Sequence, residues 1–219
     1  MYKFILKTSG FLFLCFLFGL AVFMMADGKT DAFYIRFTSP KQSSLILGTS
    51  RSAQGIIPSV LNRHLKRKDL FNYSFTVTHS PYGPTYYQSI LKKLDTNAKH
   101  GLFILAVDPW SISSTGADPD DSTAFPETAL FLADNFSVHA DPNVEYLLYH
   151  FADPYYKLIY NRESTQYNTY LHRDGWLEVN VNMKDSAYIT RHVKMKIEEY
   201  KKDFLPKYRM SHKRPEYLS

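Results

Sequence analysis

Hydrophobic positions fall in three successive patterns along the chain. From Thr8 to Ala26 there are 19 residues without a charge, bounded by Lys7 and Asp27. As a helix they reach about 28 Å at about 1.5 Å per residue, close to the hydrocarbon thickness of a bilayer. After a polar stretch at 28–42, read as a linker, short apolar runs alternate with helical spacing. Ser44-Leu45-Ile46-Leu47 ends at Gly48 and predicts a buried parallel strand. Ala53 to His64 carries Ile56, Ile57, Val60 and Leu61 at helical spacing, with Pro58 as a kink or restart. Phe71 to Val77 predicts a second strand, ending in the turn-forming His79-Ser80-Pro81-Tyr82-Gly83-Pro84. Thr85 to Leu94 predicts a second helix. Gly101 to Val107 predicts a third strand, apolar after its glycine and followed by Asp108-Pro109. Such alternation of strands and helices predicts parallel βαβ units.

The third pattern is irregular. Ser111 to Glu127 reads as a loop, Asn143–Phe151 and Pro154–Tyr160 as short aromatic-rich helices, and Gly175–Val179 as a strand or hairpin arm. The whole stretch 111–186 reads as an insertion over the top edge of the sheet. Ala187 to Phe204 then predicts an amphipathic helix, with Ile189, Val193, Ile197 and Tyr200 on one stripe and Pro206 ending it.

Charge changes the picture in two places. Lys3 and Lys7 precede the long apolar run and Asp27 and Asp31 follow it, so the positive-inside bias places the N-terminus in the cytoplasm and 27–219 outside. Met24 stands where a signal-peptide cleavage site needs a small residue, and Leu14 stands where a lipoprotein signal needs one before Cys15. An uncleaved anchor is the expectation, with Cys15 a small apolar residue in the span. The net charge of +5 is equally local. Residues 191–219 hold nine Lys/Arg against four Asp/Glu, leaving 17 of each sign in the rest of the 219 residues. That is a basic end, and no nucleic-acid partner is expected. One cysteine excludes a disulfide framework and a multi-cysteine metal site.

In open parallel sheets, function sits beyond the carboxyl ends of the strands. Ser50 follows a buried strand and opens a helix, which exposes its hydroxyl beside the helix N–H groups that stabilise an oxyanion. The same position also suits a helix cap. Arg51, His79 and Asp108 lie at the three strand ends and are the candidate substrate contacts. Each also has an ordinary reading, as a solvated or paired charge or as a turn residue. His139-x-Asp141 lacks further ligands at helpful spacing, so no metal is expected. The tyrosines and phenylalanine at 146, 149, 151, 155, 156 and 160 suit sugar stacking, a membrane interface or simple packing.

The segment Leu45-Ile46-Leu47-Gly48-Thr49-Ser50-Arg51-Ser52-Ala53 resembles the first block of SGNH/GDSL-type hydrolases, in the form seen in membrane-anchored, extracytoplasmic bacterial members associated with membrane-bound O-acyltransferases. The resemblance spans roughly residues 43–110. It implies an α/β, flavodoxin-like (SGNH-type) parallel sheet, with Ser50 as nucleophile and Gly83 as the second-block oxyanion donor. It also implies a single-pass protein of the bacterial inner membrane, a cell-surface glycan or polymer substrate, a membrane-bound O-acyltransferase as partner, and no cofactor. The third block departs from the family. Val107-Asp108-Pro109-Trp110 stands in place of Gly-x-Asn-Asp, and a carboxylate cannot donate unless protonated. The Asp-x-x-His pair that supplies the family's base is also absent from the sequence. The expectation is a partial domain over 43–219. Its sheet runs in the order 2-1-3 with the third strand at an edge, the helix at 187–204 packs on it, and about 60–100 further residues are needed to finish it. A non-catalytic anchored accessory protein of the same fold is the alternative, and a generic anchored ligand-binding domain the third reading.

Overall fold

A computed structural model of the chain describes residues 1–109, 111–112, 125–160, 168–180, 186–199 and 201–202. The first helix, α1 (Tyr2–Phe23), is exposed without a break through residue 18. It is long and apolar enough to cross a membrane and is not a core helix. Its last turn behaves differently. Val22 is buried, and the Phe23 ring lies 5.3 Å from the Tyr155 ring. Phe23 and Ala26 both pack on the main core.

The stretch 28–42 is therefore not a free linker. It holds α2 (Tyr34–Thr38), in which Tyr34, Arg36 and Phe37 are fully buried. The reason is legible in Phe33-Tyr34-Ile35-Arg36-Phe37, whose aromatic density outweighs the polar residues around it. Asp31 starts this helix by accepting the Phe33 and Tyr34 N–H groups at 2.7 and 2.9 Å.

Three parallel strands follow. They are β1 (Ser44–Leu47), β2 (Leu70–Asn72) and β3 (Phe103–Leu105), in the order β2-β1-β3. Leu45 pairs with Phe71 on one side and with Phe103 on the other. The β2 strand is shorter than the pattern predicted. Its extended path nevertheless continues, because Tyr73 and Phe75 donate to the Ile46 and Gly48 carbonyls. The helix after β1 is split into α3 (Ser50–Gly55) and α4 (Pro58–His64), with the restart at Pro58 that proline imposes. The helix after β2, α5 (Pro84–Lys93), buries Tyr86, Ser89, Ile90 and Lys93 at helical spacing.

The described part of 111–186 joins the core rather than lying over one edge. A 3-10 turn at Pro126–Ala129 leads into α6 (Phe131–Asp134), α7 (Val144–Tyr149) and α8 (Lys157–Tyr160). Phe131, Leu132, Val138, Tyr146 and Leu147 share one cluster with Leu45, Phe71 and Phe75. An antiparallel hairpin, β4 (Asn168–Leu171) and β5 (Leu177–Asn180), packs Leu171 and Leu177 on Ala53 of α3. Its tip reaches β2. The Asn72 N–H donates to the Asp174 carbonyl at 2.8 Å, and Gly175, at φ +82°, leaves no room for a Cβ against the Asn72 carbonyl.

The last helix, α9 (Ser186–Glu199), departs from expectation. Val193 and Ile197 are half-exposed, so the apolar stripe is not buried against the sheet. The face of β1 and β2 is already filled by aromatic rings, while Phe103 and Leu105 of β3, and Val107 just after it, stay at 46, 57 and 58% exposure. The expected edge position of β3 holds: among the described residues, no strand pairs with its outer side. Tyr200, Pro206, the basic tail and Trp110 lie outside the described residues.

Candidate active site

The carboxyl ends of the three strands meet at the turn from β1 into α3. Gly48 has φ +150°, a left-handed backbone that favours glycine. A Cβ there would overlap the Ser52 hydroxyl oxygen and come within 2.9 Å of the Ala106 carbonyl. The turn is locked from both sides. The Gly48 N–H donates to the Tyr86 hydroxyl at 3.2 Å, and Tyr86 donates to the Tyr73 carbonyl at 2.6 Å. The Gly48 carbonyl accepts from the Ser80 hydroxyl at 2.8 Å. Tyr82 places its hydroxyl between the Leu47 and Ala106 carbonyls at 3.0 and 3.2 Å, tying the end of β1 to the chain after β3. Burial, with Asp108 nearby, pushes the Tyr82 phenol up to about 12, so it stays a neutral donor.

Ser50 is the first residue of α3, and Thr49 occupies the capping position. Among the described residues the Ser50 hydroxyl has no hydrogen-bond partner, so it is not spent as a cap. The α3 helix that carries it is pinned from behind. The Trp176 indole N–H donates to the Gln54 carbonyl at 2.8 Å, and the Asn72 amide donates to the Ser52 and Ile56 carbonyls at 2.8 and 2.9 Å.

Arg51 and Asp108 come together. Their charged groups lie 3.6 Å apart, and the Thr49 hydroxyl approaches the same carboxylate oxygen at 3.5 Å. The other Asp108 oxygen accepts the Ser111 N–H at 3.0 Å. The Arg51 side chain is 69% exposed, so its head is open to an anionic group while leaning on Asp108.

Gly83 caps α5 in an extended conformation that any residue adopts, so its small size matters rather than its φ. A Cβ at 83 would come within 3.1 Å of the Glu127 carboxylate, and Glu127 is itself buried. Neither the Gly83 nor the Ser50 N–H has an acceptor among the described residues.

His79 stands in the turn after β2, one residue before Ser80, which bonds Gly48. Its Nδ1 lies 2.7 Å from the Thr76 hydroxyl, and its ring stacks on Phe131 at 4.3 Å and beside Phe33 at 5.2 Å. Burial holds its pKa below the usual value, so the ring is neutral at neutral pH. It makes no hydrogen bond to Ser50. No group of His, Cys, Asp and Glu able to hold a metal occurs among the described residues.

Two buried cations escaped the sequence reading. Arg36 donates to the Asn72, Ala32 and Gly175 carbonyls at 3.2, 3.0 and 2.7 Å. Lys93 donates to the Arg36 and Val138 carbonyls at 2.8 and 2.7 Å and to both the carbonyl and hydroxyl of Ser39. Among the described residues neither forms an ion pair with a carboxylate. Burial lowers Arg36 to about 10 and Lys93 to about 7. The signal for Lys93 was its place on the apolar stripe of α5, three residues after Ile90. Arg36 ties α2 to β2 and to the hairpin tip, and Lys93 ties α5 to α2 and to the chain at Val138. The chain matches no protein-family model, no curated protein and no solved structure.

Proposed function

We propose that the chain is the anchored part of an SGNH-like, flavodoxin-type serine esterase or O-acyltransferase, held in the bacterial inner membrane by α1 and working outside the cytoplasm on a cell-surface glycan or polymer. The observation that carries it is the Ser50 hydroxyl. It stands unbonded on the first turn of a pinned helix, directly after a buried strand and a left-handed glycine. In the proposed reaction Ser50 Oγ attacks the acyl carbon, and the Ser50 and Gly83 N–H groups receive the oxyanion. The donor's alkoxide leaves with a proton, and the acyl group passes from Ser50 to water or to an acceptor hydroxyl. Arg51, tethered by Asp108, attracts the anionic groups of a polymer. His79 shapes the neighbouring turn. The proton from Ser50 passes to an imidazole, which the described residues do not place beside the hydroxyl and which the membrane-bound O-acyltransferase expected as partner can supply.

Turnover of 4-nitrophenyl acetate by membranes carrying the full chain together with its native partners tests this. Loss of turnover in Ser50→Ala is the expected result, and equal turnover removes Ser50 from the chemistry. A second reading has its own support. Asp108 is occupied within the chain, and among the described residues no imidazole or carboxylate bonds to Ser50. A non-catalytic accessory protein that presents the same strand-end surface to a polymer fits these facts, and it predicts that Ser50→Ala complements a deletion strain fully.

A further inference from the structure

The end of α1 and the α7–α8 corner form one surface. Tyr155 joins them: its hydroxyl donates to the Leu147 carbonyl at 2.7 Å, and its ring packs on Phe151 at 5.8 Å and on Phe23 at 5.3 Å. Near this junction Tyr149, Tyr156 and Tyr160 are exposed, and so are Leu148 and Ile159. Tyr146, four residues before His150, belongs instead to the core, where it bonds Asp31 at 3.0 Å. The one lysine in α8 is already matched, since Lys157 meets Asp153 at 2.6 Å. The described surface of α8 therefore carries no surplus charge.

Depth follows from helix geometry. In the uncharged run Thr8–Ala26, Phe23 lies three residues before the outer end. That is about 5 Å along the axis, so the ring that Tyr155 packs on sits close to the boundary between hydrocarbon and headgroups. Tyrosines with one apolar and one wet end settle at that level.

We propose that Tyr149, Tyr156 and Tyr160, with Leu148 and Ile159, dock the domain on the lipid headgroup layer of the membrane that α1 crosses. The domain is then held flat against the bilayer and does not swing on a tether. The site at Ser50 keeps a fixed height above the surface. This rests on α1 being an anchor, as proposed above.

The test uses the full chain with Cys15→Ala, reconstituted in phosphatidylcholine vesicles and spin-labelled at one introduced cysteine at a time. The positions are Leu12→Cys in α1, Tyr156→Cys and Tyr160→Cys in the patch, and Leu105→Cys on the bare β3. Collision with oxygen is compared with collision with a water-soluble nickel chelate. The patch tyrosines are exposed, so their replacement removes no core packing. The expected result is a deep label at 12, labels at headgroup depth at 156 and 160, with an oxygen-to-nickel ratio several-fold above that at 105, and a water-exposed label at 105. Labels at 156 and 160 that match 105 while 12 stays in lipid overturn the docking and leave the anchor standing, freeing the tyrosines to bind glycan. A water-exposed label at 12 overturns the anchor and the docking together.

Discussion

The two edges of the sheet are finished in opposite ways. At the β2 edge the Asn72 N–H and carbonyl both find partners, Asp174 and Arg36, and the hairpin tip closes over them. At the β3 edge no described element covers the strand, and its apolar side chains face solvent. Yet Leu45-Ile46-Leu47 and Phe103-Ile104-Leu105 are the same kind of sequence. An apolar run reports the burial a strand is built for and says nothing of what supplies it. A bare, apolar edge is a template for another strand, so β3 is where a further segment or partner has most to gain.

The sharpest way to break this contrast is paired truncation. Ile46→Ala should cost about 2–5 kcal/mol, because the side chain is fully buried. Leu105→Ala should cost about 0.5 kcal/mol or less, as expected for an exposed site. Urea midpoints of the full chain in detergent give both values. Equal losses would mean that β3 is covered after all.

Gly48→Ala probes the turn where the two halves of the sheet meet. Backbone strain at its φ costs about 1–3 kcal/mol, and the overlap with Ser52 and Ala106 adds to it. A fall in melting temperature should accompany loss of any Ser50-dependent reactivity. An unchanged melting temperature would show that the turn relaxes freely.

Lys93 sharpens the comparison through pH. Burial lowers its pKa from the ordinary 10.5 to about 7, so the unfolded chain binds this proton more tightly. Folding releases the proton between about pH 7 and 10.5. The contribution of Lys93 to stability therefore rises with pH across that window, by at most about 1.4 kcal/mol per unit, and is lowest below pH 7. Lys93→Met should flatten the rise in a pH series of urea midpoints. A slope that survives the substitution assigns it to another group.

How much of this was legible in the sequence depends on range. The β1 strand, the restart at Pro58 and the helix after β2 rest on local periodicity and proline geometry, and they were read correctly. So was the place of Ser50, since a strand-to-helix turn is local. The locks around it were hidden because they are distant in sequence: Ser80 reaches back 32 residues to Gly48, and Tyr86 reaches back 38. The stretch 28–42 looked like a linker because its charges are visible and their partners are not. Arg36 is satisfied by the Gly175 carbonyl, 139 residues away. The α9 helix shows the converse: a clear apolar stripe predicts a packed helix, but the stripe alone does not say against what.

The smallest effect expected is on the pair that bridges the two sides. Arg51→Gln should change stability by less than about 1 kcal/mol, because the arginine is mostly exposed and the pair is screened by salt. Any larger change should appear in polymer binding, read as retention of the full chain on an anionic glycan at low and at high salt. Equal retention of both proteins would remove Arg51 from the binding surface.

The central claim is that Ser50 is a nucleophile, and a fluorophosphonate probe tests it most directly. Membranes carrying the full chain together with its native partners should give a labelled band, mapped by mass spectrometry to Ser50 and missing in Ser50→Ala. Equal labelling of both proteins, or none in either, would contradict the claim and leave the Ser50 surface to a non-catalytic accessory role.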